Sequence, residues 1–185
     1  MLMARKYVFH DHSKLYFVTF TVVNWIDIFI RSEYRAIVYD SIKFCQENKQ
    51  LEIYAYCFMT SHIHMIIGSE VGNLSDIIRD FKSFTSRQIR LELEKSNIES
   101  RKEWLLWMFR RAGLKNERNY DFQFWIQNNH PIELNTNEKT LQKLNYIHQN
   151  PVSAGFVEKP EDWIHSSAGD YVGIRKGLIE LIFIE

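Results

Sequence analysis

Apolar positions change period several times along the chain, and each period predicts an element. In residues 16–24, YFVTFTVVN, they alternate. Tyr16, Val18, Phe20 and Val22 fall on one side, and Phe17, Thr19 and Thr21 on a more polar one, which predicts a half-buried strand. Residues 32–49 switch to helical spacing, with Ile37, Val38, Ile42 and Cys45 in one stripe and Ser32 placed to cap it. LEIYAYCFMT (51–60) is apolar on both faces, the pattern of a central strand. HIHMIIGS (62–69) follows after a short turn and reads as a strand antiparallel to it. Residues 73–95 predict a long amphipathic helix. Residues 96–120 are charged, with Trp104, Trp107 and Phe109 interspersed, and read as a helical insert or a mobile segment. Residues 121–135 leave room for a short strand. Residues 137–150 predict a helix stopped by Pro151, with Asn135 and Glu138 at capping-box spacing. The order β-α-β-β-α plus extra helices predicts an α+β fold: one antiparallel sheet with helices packed on one face, in a single domain spanning 1–185.

Composition narrows the setting. The 185 residues are 45% hydrophobic and 25% charged, as in ordinary soluble domains, and 15% aromatic, enough for a dense core plus some stacking surface. Formal net charge is zero, so nucleic-acid binding would have to rest on a local patch. Cys45 and Cys57 lack CxxC spacing and suggest neither a disulfide framework nor a zinc site. The N-terminus has no signal-peptide core, and no run reaches the roughly 20 apolar residues of a membrane span. The expectation is a cytoplasmic protein with no membrane partner.

His62 and His64 stand out. Two apart in a strand, they share a face with Ile66, while Ile63, Met65 and Ile67 form the obvious core face. Two imidazoles one pleat apart can bind one metal ion. Taken alone, however, such a pair is more often structural or solvent-facing, and periodicity names no third ligand.

YCFMTSHIHMII (56–67) resembles the HUH motif of the single-tyrosine transposases, a histidine–hydrophobe–histidine triplet on a central strand. Further on, LNYIHQNPVSAGFVEKPEDWIHSSAGDY resembles the C-terminal signature of the same family, closest to its REP-associated tyrosine transposase branch. The two blocks occur in the family's order, and the resemblance spans about Tyr16 to Tyr171. It implies a ferredoxin-like or RRM-like HUH nuclease core. His62 and His64 would be ligands of a Mg²⁺ or Mn²⁺ ion, Asn150 would match the polar residue supplying the third ligand, and Tyr146 would match the nucleophile. The activity implied is a metal-dependent single-stranded DNA endonuclease and strand transferase, working through a 5′-phosphotyrosine and recognising hairpin DNA. A domesticated DNA-hairpin-binding module without catalysis is the alternative. Relatives act as single subunits or as homodimers. Thr60-Ser61 stands where many members have Pro-Asn.

The residues are consistent with these roles. Leu141, Leu144 and His148 read as the inward stripe of the 137–150 helix. Tyr146 lies off that stripe, with Asn150 one turn on, although Pro151 disfavours helical geometry at Asn150. A phenol with pKa about 10 is a weak nucleophile at neutral pH, which is where a metal would help. For DNA, Arg87 on the long helix and Arg110 and Arg111 in the insert are interleaved with aromatics. Lys82 and Ser86 lie in KSFTSR, which resembles a common family stretch and marks them as phosphate-contact candidates. His130 could support the site or simply cap a turn beside Pro131. His148 reads as a structural histidine, and Trp163 as a packing anchor.

Overall fold

The computed structural model describes residues 9, 11, 13–69, 71, 73–116, 121–127 and 131–184. Arg118 and His130 lie outside the described residues. Along the chain run β1 (Tyr16–Thr21), α1 (Ser32–Lys49), β2 (Leu51–Phe58), β3 (His62–Ser69), α2 (Leu74–Lys95), α3 (Lys102–Leu114), β4 (Ile132–Glu133), α4 (Asn137–Ser153) and α5 (Ala168–Tyr171). Single 3-10 turns lie at Val23–Trp25 and Pro160–Asp162. The strands form an antiparallel sheet in the order β2-β3-β1-β4.

Alternation sorts the side chains as expected. Tyr16, Val18 and Phe20 of β1 and Ile63, Met65 and Ile67 of β3 join the larger core. That core is completed by Val38 and Ile42 of α1, Ile77, Phe81 and Ile89 of α2, and Leu105 and Phe109 of α3. Phe17 and Ile66 turn the other way, into a smaller cluster with Ala55, Cys57, Leu134 and Ile147 of α4. Thus α1 and α2 line one face, while α4 packs on the other, the face that carries the histidines. A register shift between Ile53 and Ala55 marks a bulge. It sets Tyr54 and Ala55 on the same side and lets Tyr56 and Phe58 return to the larger core.

β2 is an edge strand of the sheet, not a central one. Its two-faced apolar pattern reports burial, and the burial comes from irregular chain laid along the edge. Phe58 N–H donates to His165 O (2.8 Å), Ser167 N–H to Tyr56 O (3.0 Å), and Ile182 N–H to Ile53 O (2.9 Å). The C-terminal segment therefore satisfies ladder groups that an open edge would expose.

Helix ends depart from expectation in instructive ways. Arg31, not Ser32, precedes α1, and no side chain caps that end. Thr136, not Asn135, caps α4 by accepting from Lys139 N–H (3.2 Å). Nor does Pro151 stop α4, which runs through it to Ser153. In the last turn a proline gives up only one backbone bond. The stop is Gly155, at φ +76°. There Phe156 N–H donates to Pro151 O and Gly155 N–H to Val152 O, both 2.9 Å, the double closure of a Schellman motif. The buried stripe of α4 is Thr140, Ile147 and Pro151, with Leu144 beside them, whereas Leu141 is 50% exposed. Within residues 96–116 the chain forms α3. Its Leu105, Leu106 and Phe109 are buried, and Trp104 and Trp107 face outward.

Candidate active site

β3 and α4 bring four of the sequence-predicted residues into one cluster. The β1–β3 register places His62 opposite Thr21 and His64 opposite Thr19, on the face that α4 covers. The two imidazoles lie 4.7 Å apart between ring centroids, and the Tyr146 ring sits 5.2 Å from that of His64. Because α4 stays helical through Pro151, Asn150 remains one turn beyond Tyr146 on the same side. Its side chain lies close enough to the His62 ring to favour the charged imidazole. Tyr146 is 45% exposed, so a substrate can reach it, and its inner edge rests against Phe17 at 5.8 Å.

The two histidines differ. His64 is buried, at 5% exposure. Its Nδ1 shares a 2.8 Å hydrogen bond with Thr19 Oγ1, and its Nε2 is buried without a partner among the described residues. With the proton on Nδ1 donating to Thr19, Nε2 keeps a bare lone pair. Fixing one ring nitrogen so that the other faces a ligand is how proteins orient metal-binding imidazoles. Burial pushes the His64 pKa down to about 3, helped by the neighbouring His62 and the Lys143 charge. Burial also lowers that of His62, while Asn150 and Asp27 act in the opposite direction. Both rings are held in the neutral form that binds metals.

These residues fit a divalent ion. The orphaned Nε2 of His64, the adjacent His62 ring and the Asn150 amide could supply two nitrogens and one carbonyl oxygen. Imidazole donors favour Mn²⁺ over Mg²⁺ in such a set. Among the described residues, no three His, Cys, Asp or Glu side chains form a metal-sized group, so the third protein donor would have to be an amide such as Asn150.

Three participants escaped the sequence reading. Thr19 was legible only as a polar position on β1, and pairing with His64 requires the strand register. Lys143 is three residues before Tyr146, a helical neighbour that spacing could have flagged. Its Nζ lies 5.3 Å from the Tyr146 ring centroid and 4.7 Å from that of Phe17. Trp25, in the turn after β1, has its ring 5.2 Å from His62.

The basic candidates are elsewhere. Lys82, Ser86 and Arg87 are on α2, and Arg110 and Arg111 on α3, the helical layer across the sheet from α4. Lys82 is turned inward, donating to Ile126 O at 2.5 Å, and burial lowers its pKa to about 7. Its ammonium is thus engaged by backbone carbonyl rather than offered to a phosphate. Ser86 is partly buried. Arg87 lies over Phe84 and Arg111 over exposed Trp107 (5.8 and 5.1 Å), and Arg110 reaches Glu94 at 3.8 Å. His148 is structural as read, its Nε2 bonded to Ser167 Oγ at 2.9 Å. Trp163 Nε1 donates to Phe58 O at 2.9 Å, fastening the C-terminal segment to β2.

Among the described residues, no helix is long and apolar enough to cross a membrane. The chain is 30% identical over 124 residues to a putative REP-associated tyrosine transposase of Haemophilus influenzae. That match takes in 65% of this chain and 61% of the relative's length. A solved structure of a REP-associated tyrosine transposase bound to a REP hairpin superposes with a TM-score of 0.64, covering 95% of this chain and 89% of the other. At 19% identity, that likeness is one of fold. The family model described as "Transposase IS200 like" matches residues 13–108, about half of the chain, including His62 and His64. The chain belongs to the IS200-like transposase family.

Proposed function

We propose that this protein is a metal-dependent single-stranded DNA endonuclease and strand transferase that recognises hairpin DNA and cleaves with Tyr146. The observation that carries the reading is the meeting of Tyr146 with His64, His62 and Asn150 on one face of the sheet. The relative solved with a REP hairpin is the reason to choose hairpin DNA as substrate.

His62, His64 and Asn150 would hold a Mn²⁺ or Mg²⁺ ion. When bound, that ion would polarise the scissile phosphate and offset its developing charge. Tyr146 Oη forms a bond to phosphorus and gives up its proton, while the bond to the 3′ oxygen breaks and that oxygen takes up a proton. The products are a 5′-phosphotyrosine and a free 3′-hydroxyl. A DNA 3′-hydroxyl can reverse the step, so strands are rejoined without ATP. Thr19 holds the His64 ring in one orientation. Lys143 puts a positive charge beside the phenol, where phosphate oxygens arrive. Phe17 limits the swing of the Tyr146 ring.

The test uses labelled hairpin oligonucleotides from the DNA flanking the protein's own gene, with Mn²⁺, Mg²⁺ or EDTA. A covalent protein–DNA adduct that needs the metal and disappears in Tyr146→Phe is the expected result. Tight hairpin binding with no adduct in either metal would replace the enzyme by a non-catalytic hairpin-binding module.

A further inference from the structure

We infer that Trp25 is a stacking platform for a nucleobase flanking the scissile phosphate; the inference rests on the strand-cleaving reading of the Tyr146 site. It starts from an apolar residue in an unexpected place. Val22, Val23, Ile26, Ile28 and Phe29 are all buried, yet Trp25, in their midst, is 60% exposed. Its exposure is built in by the backbone. Asn24 and Trp25 both adopt left-handed conformations, at φ +56° and +54°. Asparagine tolerates that region, but a bulky residue such as tryptophan does so only when the surroundings enforce it.

The surroundings do enforce it. Val22 N–H donates to Ser61 O (2.9 Å), Val23 N–H to Phe124 O (2.8 Å), and Phe29 N–H to Thr60 O (2.9 Å). Thr60 Oγ1 donates to Asp27 Oδ1 at 2.5 Å. The 22–29 segment is therefore stapled to the turn that launches β3, two residues from the first histidine. The indole ends edge-on to the His62 ring, 5.2 Å away at 70°. That contact occupies one part of an otherwise open aromatic surface. A strained, anchored loop that holds a large flat ring at the rim of a phosphate-handling site matches what single-stranded DNA requires. The phosphate engages the site, and the adjoining base needs a face to stack on. Stacking accepts any base, so Trp25 would fix the position of the strand rather than its sequence.

The experiment separates this inference from the chemistry by reading binding in a background that cannot react. Tyr146→Phe protein with Mn²⁺ is titrated with a hairpin oligonucleotide carrying a single-stranded flank, with one abasic position at a time. Trp25→Ala and Trp25→Phe are then added to that background. Both substitutions keep the same backbone strain, so their difference reads the ring. Trp25→Ala should weaken binding roughly five- to a hundredfold, with Trp25→Phe keeping most of the affinity. One abasic position should cause a similar loss, and adding it to Trp25→Ala should cost nothing more. Affinities of the Trp25→Ala protein equal to those of its Tyr146→Phe parent for every oligonucleotide would overturn the inference. So would losses that multiply at every position, or a change in oligomeric state of the DNA-free protein with no change in DNA affinity. None of these readouts depends on adduct formation, so absence of cleavage leaves the stacking test intact.

Discussion

On the α1–α2 face, the buried polar groups Thr85 and Glu99 are answered from within the protein, while the Ser69 hydroxyl at the end of β3 has no partner among the described residues. Thr85 Oγ1 accepts from Trp125 Nε1 (2.9 Å) and donates to Phe81 O (2.7 Å). Glu99 takes Arg31 at 2.8 Å and Arg101 at 3.0 Å. On the α4 face, His64 is as deeply buried but keeps Nε2 unpaired, with a second imidazole and a lysine nearby. Burying a polar atom without a partner costs about 1–3 kcal/mol. The first face thus spends most of its burial on stability. The second gives up some stability to gather a lone pair, a phenol and an amide, the groups the proposed function would use. Substitutions on the two faces should therefore fail in different measurements.

The largest effect should come from Phe58→Ala on the first face, where the ring is 1% exposed. Urea denaturation should show a loss of about 3–5 kcal/mol, against less than about 0.5 kcal/mol for Tyr146→Phe on the second face. A strong destabilisation by Tyr146→Phe would erase the contrast. Next, Mn²⁺ at a hundred times its dissociation constant should stabilise the wild type by about 2.7 kcal/mol, through binding only the folded state. Chelation should reverse the gain and His64→Ala should abolish it, in thermal melts without DNA. Lys143→Met should slow adduct formation by about tenfold or more with an unchanged melting temperature, since one charge beside the reacting oxygen is lost. An unaltered rate would remove Lys143 from the chemistry.

Gly155→Ala should destabilise by about 1 kcal/mol, because its φ of +76° suits glycine, and the loss should appear in denaturant melts. A further prediction concerns pH. Burial lowers the His148 pKa to about 4, below the ordinary value near 6.5. The unfolded chain therefore takes up that proton first as pH falls. The contribution of His148 is fully present above about 6.5 and is lost progressively towards 4. His148→Gln should flatten the pH dependence of stability between those limits, and an unchanged slope would assign it to other groups.

Much of this was legible in the chain. Tyr16, Val18 and Phe20 alternate because one face of β1 meets the core, and the stripes of α1 and α2 follow from the same logic. The His62–His64 pair revealed its face by period alone, and the C-terminal signature pointed to Tyr146 and Asn150. What stayed hidden depends on chain segments far apart. The edge position of β2 was masked because residues 165–182 bury it as thoroughly as a neighbouring strand would. β4 has two residues, too few for any period. Proline is read as a stop wherever it falls, yet α4 continues through Pro151 to Ser153, where little helix is left to disrupt. Trp25 stands among buried apolar neighbours and carries no sequence signal of its exposure, which the backbone dihedrals impose.

The fastening of Ser167 to Tyr56 and His148 sets the order in which the site can be made. The histidine strand leaves the ribosome early, and the tyrosine helix some 80 residues later. The clasp that joins that helix to β2 spans 111 positions and comes from chain emerging later still. Contacts of such separation form late. A growing polypeptide therefore carries its imidazoles for some 80 residues with no aligned phenol beside them. The cluster can close only after Ser167 has emerged.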